Sequence, residues 1–250
     1  MHKPLEGKTI LLTGTKKTQS IIDQIQRLGG EAVVCPLIKT VEVIQEDDLE
    51  RLTLCRTYDW LIFTSQNGVE FFWKKLVRHQ FPLSQISSKI AAVGEKTAEL
   101  LKRYGFSVHF TPSVFSADTF VQEFPSVSGH SPKCLFIRGE LAKDTLRKGL
   151  PFPIDEWTVY TTIENKESIE TLIGAIRNSK QPIIVFASPS AVDCFNKYAA
   201  PIVGWSRAKI ACIGHITKGA VEKYGAHVTY FPKKYTMQSV IEAITKGEEM

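Results

Sequence analysis

Four junctions place small hydroxyl or glycine residues between an apolar run and a helical pattern. In "FTSQNGVEFF", Ser65 stands where a helix cap belongs, with the amides of Gln66, Asn67 and Gly68 behind it. "VFASPSAV" offers Ser188 as a cap, Pro189 at the first helical position and Ser190 behind it. "VGEKT" and "IGHIT" each follow a glycine, Gly94 or Gly214, with a threonine in the first helical turn, Thr97 or Thr217. A helix start presents unpaired backbone N–H groups and the positive end of the dipole, so each junction can accept an anion. Taken singly, each is also explained by a capped helix or a tight turn. Their recurrence speaks for a ligand with several anionic groups.

Two side chains at strand ends add to this set. Tyr160 ends "EWTVY", where a phenol can donate a proton or hydrogen bond to a leaving group or simply edge a core. Arg138 ends the strand of "CLFIRGE"; its guanidinium can grip a carboxylate bidentately or pair with Glu140 or Asp144. Lys16 and Lys17 read as solvated charge.

Other chemistries find no support. "GEKT" is no phosphate loop, because a strand precedes its glycine and Glu95 separates that glycine from Lys96. There is no GxGxxG, no GxSxG and no HExxH spacing among the histidines, so no nucleotide cofactor and no metal are expected. Five cysteines without a CxxC pair read as reduced, buried thiols in a cytoplasmic protein. The net charge of +5 serves solubility or an acidic ligand; no basic block interleaved with aromatics calls for nucleic acid. Apolar runs such as "WLIFT" are too short to span a membrane, and "MHKPLEGKTILL" lacks a secretory cleavage pattern.

The elements that must position these residues alternate along the chain. Strands are expected at Thr9–Thr13, Ala32–Cys35, Trp60–Thr64, Ile90–Val93, Val108–Phe110, Cys134–Arg138, Trp157–Tyr160, Ile183–Ala187, Ile210–Ile213 and Val228–Phe231. Between them, apolar residues spaced by three and four predict helices, giving parallel sheets covered on both faces. An internal repeat underlies the pattern: Lys89–Pro112 and Lys209–Pro232 align without a gap and share nine of 24 residues. "IFTSQNGVEFF" likewise parallels "VFASPSAVDCF", and "TILLTG" parallels "KCLFIRG" more weakly. The order is therefore a–b–a′–b′, with strand–helix–strand in a and three strands in b. Periodicity leaves open whether a pairs with b or with b′. Pairing with b′ makes the chain cross between domains twice, near Pro36–Val41 and Val159–Ile163.

The motifs "FTSQNGVEFF", "AAVGEKTAELLKRYG", "FIRGE", "VYTT", "VFASPSAV" and "CIGHITKGAVEKYG", in this order, resemble those of uroporphyrinogen-III synthases over nearly the whole chain. The resemblance implies two similar parallel-sheet, flavodoxin-like α/β domains joined by a two-stranded connector, with the first domain discontinuous. Domain 1 would comprise residues 1–37 and 164–250, domain 2 residues 42–158, and the connector residues 38–41 and 159–163, so that a pairs with b′. It further implies a monomeric cytoplasmic enzyme of tetrapyrrole biosynthesis, without cofactor. The enzyme would cyclise linear hydroxymethylbilane to uroporphyrinogen III in an interdomain cleft, losing water and inverting the last pyrrole ring. Tyr160 matches the tyrosine that assists hydroxyl departure, and Thr97, Thr217, Ser65 and Ser188 match residues lining the site. Thr13, Asn67, Gly68, Gly94, Arg138, Ser190 and Gly214 complete the expected substrate-binding set. Where many members carry Thr-Arg-Pro after the first strand, this chain has Thr13-Gly14-Thr15, which removes an arginine contact. The alternative from a different class is a two-domain binding or sensory module that closes on an anionic metabolite without chemistry.

Overall fold

A computed structural model describes residues 3–14 and 19–249; Lys16 and Lys17 lie outside the described residues. The chain opens with β1 (Thr9–Leu12), α1 (Gln19–Arg27), β2 (Glu31–Val34) and β3 (Ile38–Glu42). It continues through α2 (Asp48–Cys55), β4 (Trp60–Phe63), α3 (Gln66–Arg78), β5 (Lys89–Ala92), α4 (Glu95–Arg103) and β6 (Val108–Phe110). Next come α5 (Ala117–Ser128), β7 (Cys134–Gly139), α6 (Thr145–Gly149), β8 (Ile154–Glu164) and α7 (Lys166–Asn178). The last elements are β9 (Pro182–Phe186), α8 (Pro189–Tyr198), α9 (Ala200–Val203), β10 (Lys209–Cys212), α10 (His215–Lys223) and α11 (Met237–Glu248). Among the described residues no helix is long and apolar enough to cross a membrane.

The elements form two compact units, Met1–Lys39 with Ile163–Met250, and Thr40–Thr162. The first holds a four-stranded sheet in the order β10-β9-β1-β2, and the second sheet has six strands in the order β3-β8-β7-β4-β5-β6. β1 is central in its sheet, parallel to β2 on one side and to β9 on the other, so the N-terminal segment is completed by the C-terminal one. Both sheets repeat one spatial order. The two strands of an a segment lie beside the strands of a b segment, as β2-β1-β9-β10 and as β8-β7-β4-β5-β6. In the first unit a precedes b′ along the chain, whereas in the second b precedes a′.

Strand burial explains the near-continuous apolar runs. Both faces of β4 are covered: Leu61 and Phe63 pack with Phe72, Leu76 and Leu101, while Trp60 and Ile62 pack with Phe120 and Phe124. In the first unit Leu11, Ile184 and Phe186 face α7 and α8, and Ile10, Leu12 and Val185 face Ile25 and α11. This alternation is the two-residue period of strands, with helices supplying both layers.

Two expectations change. Val228–Phe231 is no strand; a single bridge joins Ala211 and Tyr230. Both Thr229 N and Tyr230 N donate to Ile210 O, which breaks the regular ladder, and Pro232 has no N–H to extend it. The stretch Trp157–Tyr160 is only the middle of β8, which runs from Ile154 to Glu164. Residues 38–41 and 159–163 consequently belong to β3 and β8, neighbours at the edge of the six-stranded sheet.

One anchor escapes the sequence reading entirely. Lys75, on the buried face of α3, is fully covered and donates to Val43 O and Asp48 Oδ2, both at 2.6 Å. Glu42 lies 3.5 Å from the same ammonium and also pairs with Arg78. Trp157 presents its ring 5.5 Å below the charge. The network ties the C-terminal end of α3 to β3 and the start of α2, which fixes the direction in which α3 presents its N-terminus.

Candidate functional site

In doubly wound sheets the ligand crevice opens at the carboxyl edge, where neighbouring strands send their connections to opposite sides. In the Thr40–Thr162 unit that place lies between β4 and β7, since β5 and β8 flank them on opposite sides. Ser65 follows β4 and caps α3, accepting a hydrogen bond from Gly68 N at 3.1 Å. Gly68 is buried, and a Cβ there would stand 3.3 Å from Ile137 O, so its size lets the helix start press against β7. Asn67 sits half-buried beside it.

Tyr160 arrives from β8 through an irregularity. The β7–β8 register shifts between Arg138 and Gly139, so that Gly139 faces Tyr160 rather than the next residue after Thr158. The half-buried phenol swings over Gly139, stacks on Phe71 at 5.4 Å and 19°, and holds its hydroxyl 3.2 Å from Ser65 Oγ. A Cβ on Gly139 would fall 2.7 Å from the Tyr160 hydroxyl, so only glycine leaves room for this ring position. Beside the phenol lies a pocket of about 290 Å³, whose lining includes Thr64, Glu140, Lys143 and Thr162. Arg138 stands apart from this group. Its guanidinium bonds Glu156 at 2.6 Å, Gly139 O at 3.2 Å and Ala142 O, which leaves little for a ligand.

The other helix starts follow the same construction. β5 ends beside β4, with Phe63 and Ala92 as partners, so Gly94 emerges next to the Ser65 loop. In the other unit Phe186 and Cys212 are partners, which sets Gly214 next to the Ser188 loop. Ser188 caps α8 through Ala191 N at 3.3 Å, and Ser190 is exposed in its first turn. Gly94 and Gly214 occupy the cap positions of α4 and α10 with no side chain to satisfy the helix N–H groups. Thr97 and Thr217 are each 3% exposed, in the first turns of α4 and α10. Thr13 is different: its hydroxyl is buried and donates to Val185 O at 2.8 Å, so it braces β1 against β9.

Sequence reasoning missed two aromatic rings. Phe115 and Tyr235 are 52% and 54% exposed. Each precedes a capping hydroxyl, Ser116 on α5 or Thr236 on α11. Carrying the repeat beyond Pro112 and Pro232 would have found them, because the same offset sets Phe115 opposite Tyr235 and Ser116 opposite Thr236.

Comparison with known proteins bears on what this edge serves. Residues 19–242 match the family described as uroporphyrinogen-III synthase HemD. The chain belongs to this family. A uroporphyrinogen-III synthase of Synechococcus elongatus is 28% identical over 97% of this chain and 96% of its own length. The porphyrin biosynthesis protein HemD of Ruminiclostridium josui is 28% identical over 98% of this chain, which spans 49% of that protein. A mutant uroporphyrinogen III synthase from Thermus thermophilus shares the fold, with a TM-score of 0.63 at 15% identity over 96% of this chain and 98% of that one. Uroporphyrinogen-III synthases are lyases of tetrapyrrole biosynthesis, and all five cysteines of this member are free and buried. Burial pushes the thiols of Cys35, Cys55, Cys134 and Cys212 up to about 12 and, with help from Glu164, that of Cys194 up to about 11.

Proposed function

We infer that this chain performs its family's reaction, cyclising hydroxymethylbilane to uroporphyrinogen III with loss of water and inversion of the last pyrrole ring. The observation that carries the reading is the Tyr160 phenol, held over Gly139 at the β4–β7 crevice with its hydroxyl beside Ser65. There it gives its proton to the departing hydroxyl, which leaves as water while the pyrrole nitrogen lone pair stabilises the azafulvene cation, and the proton that the attacked ring system loses after ring closure restores the phenol. Phenols are weak acids, so this assistance is modest. The larger contribution is positional: the substituted carbon of the last ring must meet the cation ahead of its free neighbour.

The substrate's carboxylates are taken by the helix starts behind Ser65, Gly94, Ser188 and Gly214, with the Thr97 and Thr217 hydroxyls as further donors. Phe115 and Tyr235 offer ring faces to the pyrroles. The chain acts as a monomer, with residues 38–41 and 159–163 as the connector of its two units. Its five buried, unpaired cysteines suit the reducing cytoplasm.

Freshly prepared hydroxymethylbilane is the test substrate, with products resolved by chromatography after oxidation. The III isomer is the expected product. Formation of the I isomer alone, as without enzyme, refutes the reading and leaves a binding module in its place.

A further inference from the structure

The Met1–Lys39 and Ile163–Met250 unit has a second concavity at the opposite end of its sheet. A pocket of about 670 Å³ opens at the amino ends of β1, β9 and β10, with Lys8, Lys180, Trp205, Arg207, Lys209 and His227 among its walls. Strands of this length place it roughly 15 Å from the carboxyl-edge loops. Its volume falls in the range of small-molecule sites.

Several of its groups are held before any ligand arrives. Glu248, with a side chain only 5% exposed, binds Lys8 and Lys209 together and accepts the Tyr230 hydroxyl. The Lys209 contact is 2.6 Å. Burial acts to raise the Glu248 carboxyl, but the bonds from Lys209 and Lys8 outweigh it and hold the group ionised. One carboxylate is thus shared by two ammonium groups, with the Lys209 side chain half exposed at the pocket wall. Arg207 is braced by Ser179 O at 3.2 Å, and Lys180 lines the wall beside it. The Trp205 indole, half-buried, is fixed by Asn196 at 3.2 Å, by Phe195 with centroids 4.6 Å apart and by Tyr224 stacked at 6.1 Å and 17°, and its remaining surface lines the pocket.

We propose that this pocket is a second ligand site, for a flat-ringed small molecule bearing at least two anionic groups, phosphate or carboxylate. The cations supply the charge match and Trp205 the surface for the ring. The site lies away from the proposed catalytic edge, and its occupancy does not depend on the reaction assigned there.

The test is titration calorimetry of the full chain with adenosine diphosphate and with pyridine-2,6-dicarboxylate, each at low and high salt. Inorganic pyrophosphate is the ringless control. At least one ring-bearing probe binds, more tightly than pyrophosphate and less tightly as salt rises. The double variant Lys180→Glu, Arg207→Glu weakens that binding about tenfold or more. Both side chains are exposed, so the variant folds and forms the III isomer at the parental rate. Binding of the diphosphate alone assigns phosphate chemistry, and binding of the dicarboxylate alone assigns carboxylate chemistry. If neither ring-bearing probe binds, or the double variant binds as well as the parent, the proposal falls, whatever the isomer assay returns.

Discussion

Gly139→Ala is the sharpest perturbation of the candidate site, because it adds one methyl group where Tyr160 already lies. The new Cβ would stand 2.7 Å from the Tyr160 hydroxyl and closer still to its Cζ, against the 3.4 Å at which ordinary contact begins, so the phenol must retreat by more than 0.7 Å. Phe71 stacks on the ring and resists that retreat. Overpacking of this kind costs about 1–3 kcal/mol, or roughly 2–12 °C in Tm for a chain of this size. The hydroxyl, now 3.2 Å from Ser65, moves out of hydrogen-bond reach. Displacement on this scale lowers kcat for the III isomer by about tenfold to a hundredfold, with KM little changed. The decisive comparison is a double-mutant cycle with Tyr160→Ala, which removes the ring the methyl collides with. In that background Gly139→Ala should be nearly silent in both Tm and turnover. An equal loss in both backgrounds would show that Gly139 does not act through Tyr160.

Tyr160→Phe keeps the ring and its stacking but removes the donor, so turnover should fall much more than KM rises; an unchanged rate excludes the phenol from the reaction. Lys75→Met leaves the buried Asp48 carboxylate with only the longer contacts from Gln45 N at 3.3 Å and Arg78 at 3.5 Å and should cost about 3–5 kcal/mol in chemical denaturation, with recovery when Asp48→Leu is added; a cost under about 1 kcal/mol refutes the anchor. The thiols carry a pH signature: folded pKa values near 11 to 12 lie above the unfolded value near 9, so the folded state binds more protons at high pH. Their stabilising contribution is complete below about pH 9 and is lost as pH rises towards 12, and native thiols should resist alkylation at pH 8 until denaturant is added. Rapid modification of the native chain would contradict this.

Strands such as β4 and β9 were legible because burial on both faces demands unbroken apolar runs. The repeat was legible for a related reason, since equivalent helix starts need the same small residues. What stayed hidden depends on partners far apart in the chain. In "FFWKK" nothing local marks Lys75 as the partner of Asp48 across 27 positions. Nothing local marks Gly139, because its task is set by a ring 21 residues later that arrives through a register shift. For Arg138 the sequence offered a ligand carboxylate or an ion pair with Glu140 or Asp144, whereas its partner Glu156 sits on a neighbouring strand, 18 positions on. The failed strand at Val228–Phe231 shows the converse: its composition suits a strand, but its amides converge on Ile210 O instead of forming a ladder.

The central place of β1 has a consequence for synthesis. The ribosome releases β1 and β2 first, yet the neighbour that flanks β1 on its other side, β9, begins only at Pro182. At about 5–20 residues per second, the intervening chain takes roughly 10–30 s to appear. During that interval the contiguous Thr40–Thr162 segment has all its strands available, while β1 has an unpaired edge. The nascent chain is therefore expected to assemble from the middle outwards, with its earliest residues among the last to be enclosed. An exposed apolar strand of this kind is a natural binding site for chaperones.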